Sequence, residues 1–280
     1  MTILVTGSAG MIGGHLVQRL MENGYHIVGI DRKLIKFPNN NNHFEVDLGD
    51  KMLLDSIFSK NKIDRVIHLA ALAHTTDGKK YPKSEYEYLN VACAKNIFDV
   101  AASRNIPILF ISTVDVFGFQ KGVVNAYTEC HPVTIYGKTK FKAEQLLKES
   151  GAQYTIFRLS PVYTPNIKRD IQKRVYLKYP KWAYQIGKNT LYEVLDIDKA
   201  TREMVEWCKQ EPKNDLRIIK DDKLLETQEY IREEKEAGRA KHVIRIPRWI
   251  AVIGYFFLRI TGKNKYTFLV NKAIHPLRSE

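Results

Sequence analysis

Cysteine is scarce in this 280-residue chain, and its three copies, Cys93, Cys130 and Cys208, are an odd number with no pairing rhythm. A disulfide framework is therefore excluded as the organising device, and a reducing cytoplasm is the expected compartment. No C-x-x-C pair occurs, and the eight histidines show no ligand spacing, so no metal site is expected. The first residues lack a basic patch followed by an apolar run, so no secretory signal is expected. The longest apolar stretch, Trp249 to Ile260, is twelve residues, against the roughly 20 needed to cross a bilayer. Repeats and low-complexity tracts are also missing. Acid is in deficit: the formal charge is +13, of which +4 falls in residues 1–164 and +9 in residues 165–280. Such a basic surface suits a phosphorylated substrate or peripheral contact with an anionic membrane. Nucleic acid is not expected, because no recognition motif accompanies the charge.

What is present is an alternation. Short apolar runs (Ile3–Thr6, His26–Ile30, His43–Val46, Arg65–Ala70, Ile106–Ser112, Tyr154–Leu159) are separated by amphipathic segments at Met11–Asn23, Lys51–Ser59, about 85–103 and Ile135–Glu149. That order predicts β-α-β units and a parallel, doubly wound α/β sheet of Rossmann type. Beyond Tyr163 the pattern loosens. Residues 166–188 are basic and aromatic, Ala200–Lys209 reads as a helix, Thr227–Ala240 as a charged, solvated helix, and Trp249–Ile260 as an apolar helix expected to pack, the alternative being an interfacial helix flanked by Arg245, Arg248, Arg259 and Lys263. Residues 1–160 are read as a dinucleotide-binding domain and 161–280 as a small C-terminal substrate lobe packed on it.

The first β-to-α turn is Gly7-Ser8-Ala9-Gly10-Met11-Ile12-Gly13. A pyrophosphate must approach backbone N–H groups at a helix N-terminus, and a side chain would block it. Gly7 suits the tight turn, Gly10 the close approach and Gly13 the packing of helix on strand. Eighteen residues past Gly13, strand two ends at Asp31. A carboxylate there accepts hydrogen bonds from ribose hydroxyls and repels a 2′-phosphate, which favours NAD. Arg32 and Lys33 follow and would instead hold that phosphate, so NADP stays open.

Tyr136 and Lys140 stand at i and i+4, on one helix face. A tyrosine hydroxyl, with an ordinary pKa near 10, is a poor base at neutral pH. A neighbouring ammonium favours the phenolate and lets it move a proton on and off a substrate oxygen. Thr113 closes strand five, at the sheet end where ligands bind in open α/β folds.

Taken in this order, the motifs resemble the extended short-chain dehydrogenase/reductase superfamily, specifically the NAD-dependent epimerase/dehydratase family typified by UDP-galactose 4-epimerase. The resemblance covers about residues 1–165. It implies a seven-stranded Rossmann sheet, a catalytic trio of Thr113, Tyr136 and Lys140, and a homodimer through helices 85–103 and 136–149, whose apolar positions include Tyr88, Val91, Ile97, Phe98, Phe141, Leu146 and Leu147. It implies further cofactor contacts at Gly7, Gly10, Met11, Ile12, Gly13, Asp31, Arg32, Asp47, Leu48, Leu69, Ala70, Ala71, Ala73, Asn90 and Pro161, besides Tyr136 and Lys140. His74, Asp115 and Phe117 are the substrate candidates.

The family's tyrosine after strand five is Phe117 here, and the dehydratase Asp-Glu is Val114-Asp115, which disfavours dehydration. The arginine that meets a substrate diphosphate is missing near Tyr192–Asp198, with Lys173, Arg174 and Lys181 as substitutes. Ile246–Lys263 resembles 3β-hydroxysteroid dehydrogenase-like members. The implied activity is epimerisation of a nucleotide-linked or lipid-linked sugar. Reduction of a keto-sugar or other carbonyl, and non-catalytic dinucleotide binding, are the alternatives.

Overall fold

Parallel strands covered on both faces read as unbroken apolar runs, and the runs above become one sheet for that reason. A computed structural model describes all residues except 34–41, 74–80, 121, 166–168, 178–179, 181 and 263. Its seven-stranded parallel sheet comprises β1 (Thr2–Thr6), β2 (His26–Asp31), β3 (His43–Glu45), β4 (Arg65–His68), β5 (Ile108–Thr113), β6 (Tyr154–Leu159) and β7 (Asp215–Ile219). The strand order is β7-β6-β5-β4-β1-β2-β3. The order reverses between β1 and β4, and such a switch point opens a crevice at the carboxyl ends of the strands.

Alternation along each strand supplies two cores. Leu4, Val28, Val66, Ile108 and Ile156 face helices α2 (Lys51–Lys60), α4 (Cys93–Ser103) and α5 (Ile135–Glu149), whose Leu54, Ile97, Phe98 and Leu147 fill that layer. Ile3, Val5, Ile67 and Leu109 face α1 (Met11–Glu22) and α7 (Ile197–Lys209) through Leu16, Val17, Leu20, Met204 and Trp207. A short α3 (Lys83–Glu87) runs into α4 through one π-helical turn, Tyr88–Ala92. Such wide turns recur at functional sites, and this one carries Asn90.

Four expectations are corrected. The division at 160/161 is not a clean cut, because α7 and β7 return from beyond it to complete both a helix layer and the sheet edge. Trp207 donates to Thr155 Oγ1 at 2.9 Å, and Arg65 donates to the Gln210 carbonyl at 2.7 Å, which seals that return. Val91, Ile97, Phe98 and Leu147, invoked for a dimer face, lie in the protomer's own core. Helix α8 (Thr227–Glu236) is not wholly solvated: Tyr230, Ile231 and Glu234 turn inward, and Glu234 accepts from Tyr176 (2.9 Å) and Arg239 (2.7 Å). Helix α9 (Arg248–Ile260) exposes its apolar stripe instead of packing it.

The lobe has its own small core of Ile171, Val175, Tyr176, Tyr192, Val194, Tyr230 and Ile231. Helix α6 (Arg169–Val175), the parallel pair Ala183–Ile186 with Val243–Ile246, and α10 (Asn264–Ile274) complete it. The strand Arg278–Ser279 pairs with Val123–Val124 and ties the end of the chain back to the Rossmann body.

One buried ionic knot joins α5, β5 and β6. Glu144 accepts from Ser112 Oγ at 2.5 Å and from Arg158 Nε and Nη2 at 3.1 and 2.7 Å, and Arg158 also donates to the Ala126 carbonyl. Removing one member leaves a buried charge unpaired, which costs about 3–5 kcal/mol. Glu144→Ala should lower unfolding stability in urea by that amount, whereas Lys142→Ala, whose partner Glu87 is a surface contact at 3.4 Å, should change it by less than about 1 kcal/mol.

Candidate functional site

The glycine turn holds α1 against two strands at once. Gly7 has φ of +72°, and a Cβ on it would lie 2.7 Å from Ala70 N. A Cβ on Gly13 would lie 2.1 Å from the Gly7 carbonyl oxygen. The turn is pinned by Gly7 N–H to the Ile30 carbonyl (2.8 Å) and Gly10 N–H to the Gly7 carbonyl (3.0 Å). Gly10 caps α1 without a side-chain hydrogen bond, and the first turn carries no acid. The positive end of the helix dipole at Met11, Ile12 and Gly13 therefore has no built-in anion. Asp31 accepts from Ala9 N–H at 3.0 Å and Lys33 N–H at 3.2 Å, so it braces the turn from the end of β2. Arg32 faces Glu85 at 3.5 Å.

On the adjoining edge, Asp47 accepts from Gly49 N–H (2.8 Å) and Tyr88 Oη (2.9 Å). Partial burial acts to raise its carboxyl, but these hydrogen bonds and the Arg32 charge hold it below the ordinary carboxylate range. Leu48 turns its side chain into the core, so only its backbone is left for a ligand. After β4, Leu69 N–H and Ala70 N–H bond to Thr6 O (3.1 Å) and Thr6 Oγ1 (3.3 Å), and Ala71 and Ala73 continue along the crevice edge. Asn90 is a correction. Its amide is used up on Leu72 N–H (2.7 Å), the Leu72 carbonyl (3.1 Å) and Thr139 Oγ1 (3.0 Å), so it positions the β4 exit and α5 and is not aimed at a ligand.

The sheet end carries the reactive set. Thr113 ends β5, its Oγ1 accepting from Asp115 N–H at 3.2 Å. Helix α5 starts at Ile135, capped by Thr134 through Gly137 N–H at 2.9 Å. A Cβ on Gly137 would lie 2.7 Å from the Asp115 carbonyl oxygen, so glycine there lets the start of α5 close on the end of β5. That contact places half-buried Tyr136 beside the strand end. Lys140, one turn on, is only 1% exposed, with its Nζ 3.9 Å from the Phe110 ring centre. Burial pushes its ammonium down to about 7, against the opposing pull of Glu144. Beneath it His68 is fully buried, bonded through Nδ1 to Thr6 Oγ1 at 2.7 Å. Burial and then the Lys140 charge push His68 down to about 3, which keeps it neutral.

Toward the lobe, a cleft is lined by Asp115, Ser160, Pro161, Arg174, Tyr192 and Lys272. Asp115 is ion-paired with Lys272 of α10 at 2.5 Å. The Ser160 hydroxyl is buried there without a partner among the described residues. Phe117 is a correction: it is fully buried, under the Arg158 guanidinium at 4.8 Å, and does not reach the cleft. Of the proposed phosphate-binding substitutes, Arg174 lines the cleft, over the Tyr192 ring at 4.5 Å. His74, Lys181 and the side chain of Lys173 lie outside the described residues.

Lys272 and Glu144 went unread in the sequence. Glu144 had a signal, standing at i+4 from Lys140 and i+8 from Tyr136. Lys272 had none, because only the fold of the lobe brings it to β5.

A model of the NAD dependent epimerase/dehydratase family matches residues 3–208. Among curated proteins, UDP-glucose 4-epimerase of Drosophila melanogaster is 29% identical over 170 residues, covering 53% of this chain and 48% of that protein. UDP-glucose 4-epimerase 1 of Oryza sativa is 33% identical over 168 residues, covering 54% and 47%. The chain thus spans about half the length of the curated relatives it matches. Among solved structures, UDP-glucuronic acid 4-epimerase from Bacillus cereus in complex with NAD superposes with a TM-score of 0.68 at 25% identity, covering 89% of this chain and 88% of that one. UDP-glucose 4-epimerase from Thermotoga maritima, with UDP-glucose, shares the fold at a TM-score of 0.71 and 22% identity, covering 88% and 86%. With its family model matched across most of the chain, the chain belongs to the NAD-dependent epimerase/dehydratase family.

Proposed function

We propose that the protein is an NAD-dependent epimerase acting on a sugar carried by a diphosphate, either nucleotide-linked or lipid-linked, in the cytoplasm. The observation that carries this reading is the placement of Lys140, only 1% exposed, one helical turn from Tyr136 on α5 beside the carboxyl end of the sheet. The residues present fit a dinucleotide. Gly7 and Gly13 leave no room for a Cβ, Gly10 caps α1 without a side-chain hydrogen bond, and Asp31 stands beside that turn at the end of β2. NAD, when bound, supplies the hydride acceptor and donor.

The chain's own part is proton handling and orientation. Tyr136, half-buried at the sheet end, takes the proton of the reacting sugar hydroxyl and returns it, and Lys140 favours its phenolate form. Thr113 Oγ1 orients the same hydroxyl. Arg174 and Lys272 put positive charge in the cleft, where a diphosphate is the matching ligand. Val114 stands where a dehydratase would carry its proton donor, so the sugar keeps its hydroxyls. An epimerase needs no external reductant and so can hold its cofactor between turnovers. A homodimer through α4 and α5 belongs to the same proposal, supported now only by exposed Tyr88 and half-buried Phe141 and Leu146.

Tyr136→Phe should cut kcat about a hundred- to ten-thousand-fold while NAD affinity by calorimetric titration stays unchanged; near wild-type turnover would remove the assignment. NAD(H) should stay with the purified protein, and stripped protein should bind NAD more tightly than NADP. Asp31→Ala should narrow that preference about tenfold, or ~1.4 kcal/mol. Release of NAD at each turnover with consumption of added NADH would instead indicate a reductase.

Lys140 gives a pH signature. Its folded pKa lies below the unfolded value of about 10.5, so the unfolded chain holds more protons from about pH 7 upward, and stability should rise with pH across that window. In cofactor-free protein, wild type should gain melting temperature between pH 7 and about pH 10 relative to Lys140→Met. The variant should be the more stable at pH 7, yet inactive.

A further inference from the structure

Helix α9 reverses the usual pattern of a globular helix. Trp249, Ile250, Ile253, Phe256, Phe257 and Ile260 follow i, i+3, i+4 and i+7 spacing and form one continuous apolar stripe. In a helix that served packing, that stripe would be covered. Here all six residues are 44–85% exposed, and the inward side is small, with Ala251 as its buried residue. The helix is held in place from behind. It packs on α10, and Arg248 donates to the Ile274 carbonyl at 2.9 Å. The stripe is therefore presented on a fixed element and belongs to neither the lobe core nor the cleft.

The charge around the stripe says what covers it. From Val243 to Ser279 the chain has seven Lys and Arg and no Asp or Glu. Arg245 and Arg259 stand exposed near the two ends of the helix. A second copy docked on this face would set the same cations against each other with no acid between them. An anionic lipid surface supplies both an apolar layer for the stripe and negative charge for the rim. Thirteen residues make a helix about 20 Å long, shorter than the roughly 30 Å hydrocarbon core, and no described helix is long and apolar enough to cross a membrane. Such a helix lies in the plane of the interface.

We propose that α9 docks the protein on anionic bilayers, with its Trp249–Ile260 stripe in the lipid interface and its arginines among the headgroup phosphates. The docking is independent of the epimerase assignment, because no α9 residue enters the cleft. Docking also sets the bilayer beside α10, which brings Lys272 to the cleft.

Cosedimentation of the full chain with phosphatidylglycerol/phosphatidylcholine vesicles tests it. The protein should pellet with these vesicles at about 0.05 M salt and be released at about 1 M, where screening reaches within about 3 Å. It should stay in solution with phosphatidylcholine alone. The double variant Ile253→Asp/Phe257→Asp should bind at least tenfold more weakly, and Arg245→Gln/Arg259→Gln should lose most of the salt dependence. Both pairs are exposed, so the melting curve and NAD titration should be unchanged and separate lost docking from lost folding. Absence of binding to anionic vesicles at low salt would overturn the proposal. So would a lipid-free dimer that the Ile253→Asp/Phe257→Asp variant dissolves, since a second copy would then own the face.

Discussion

A lysine ammonium is one of the least favourable groups to bury, and this structure places one, Lys140, at the convergence of its sheet and helix layers. Desolvation disfavours the charge on Lys140, and the surroundings do little to relieve it. The Phe110 ring offers its electron-rich face at 3.9 Å. Glu144 is the nearby acid, but its two oxygens are committed to Arg158 and Ser112. His68 stays neutral below. The knot beside Lys140 is satisfied internally. Stability is given up at one atom so that a ligand meets a charge already in position.

The rest of the site follows from keeping that atom in place. Gly137 lets α5 approach β5 closely enough for Tyr136 and Thr113 to share the strand end. Asn90, on the π-helical turn, bonds both the β4 exit and Thr139, which precedes Lys140. Gly7 and Gly13 set the opposite wall within van der Waals limits that no side chain meets. These are clearance and hydrogen-bond constraints.

The lobe closes the crevice differently. Ionic contacts and the end of the chain add to its hold on the Rossmann body. Lys272 reaches Asp115, Glu193 receives Lys220 at 2.9 Å and Ser279 N–H at 2.8 Å, and the last strand joins Val123–Val124. The same α9–α10 hairpin that supplies Lys272 carries the uncovered apolar stripe. The two faces of one hairpin therefore point to different surroundings, one to a charged cleft and one to an apolar medium.

Local chemistry was enough to read the Rossmann sheet, the glycine turn and the helix that carries Tyr136 and Lys140. Each of these is encoded within a few residues by periodicity, by the absence of a Cβ, or by i,i+4 spacing. Long-range packing decided the remainder. It buried Phe117 under Arg158, turned Asn90 from a ligand contact into a brace, and returned α7 and β7 to the sheet from beyond the expected boundary. It brought Lys272 to Asp115 across 157 residues of chain. It also left the α9 stripe bare, because hydrophobic periodicity specifies that a helix has an apolar face, and only the neighbouring elements determine whether anything covers it.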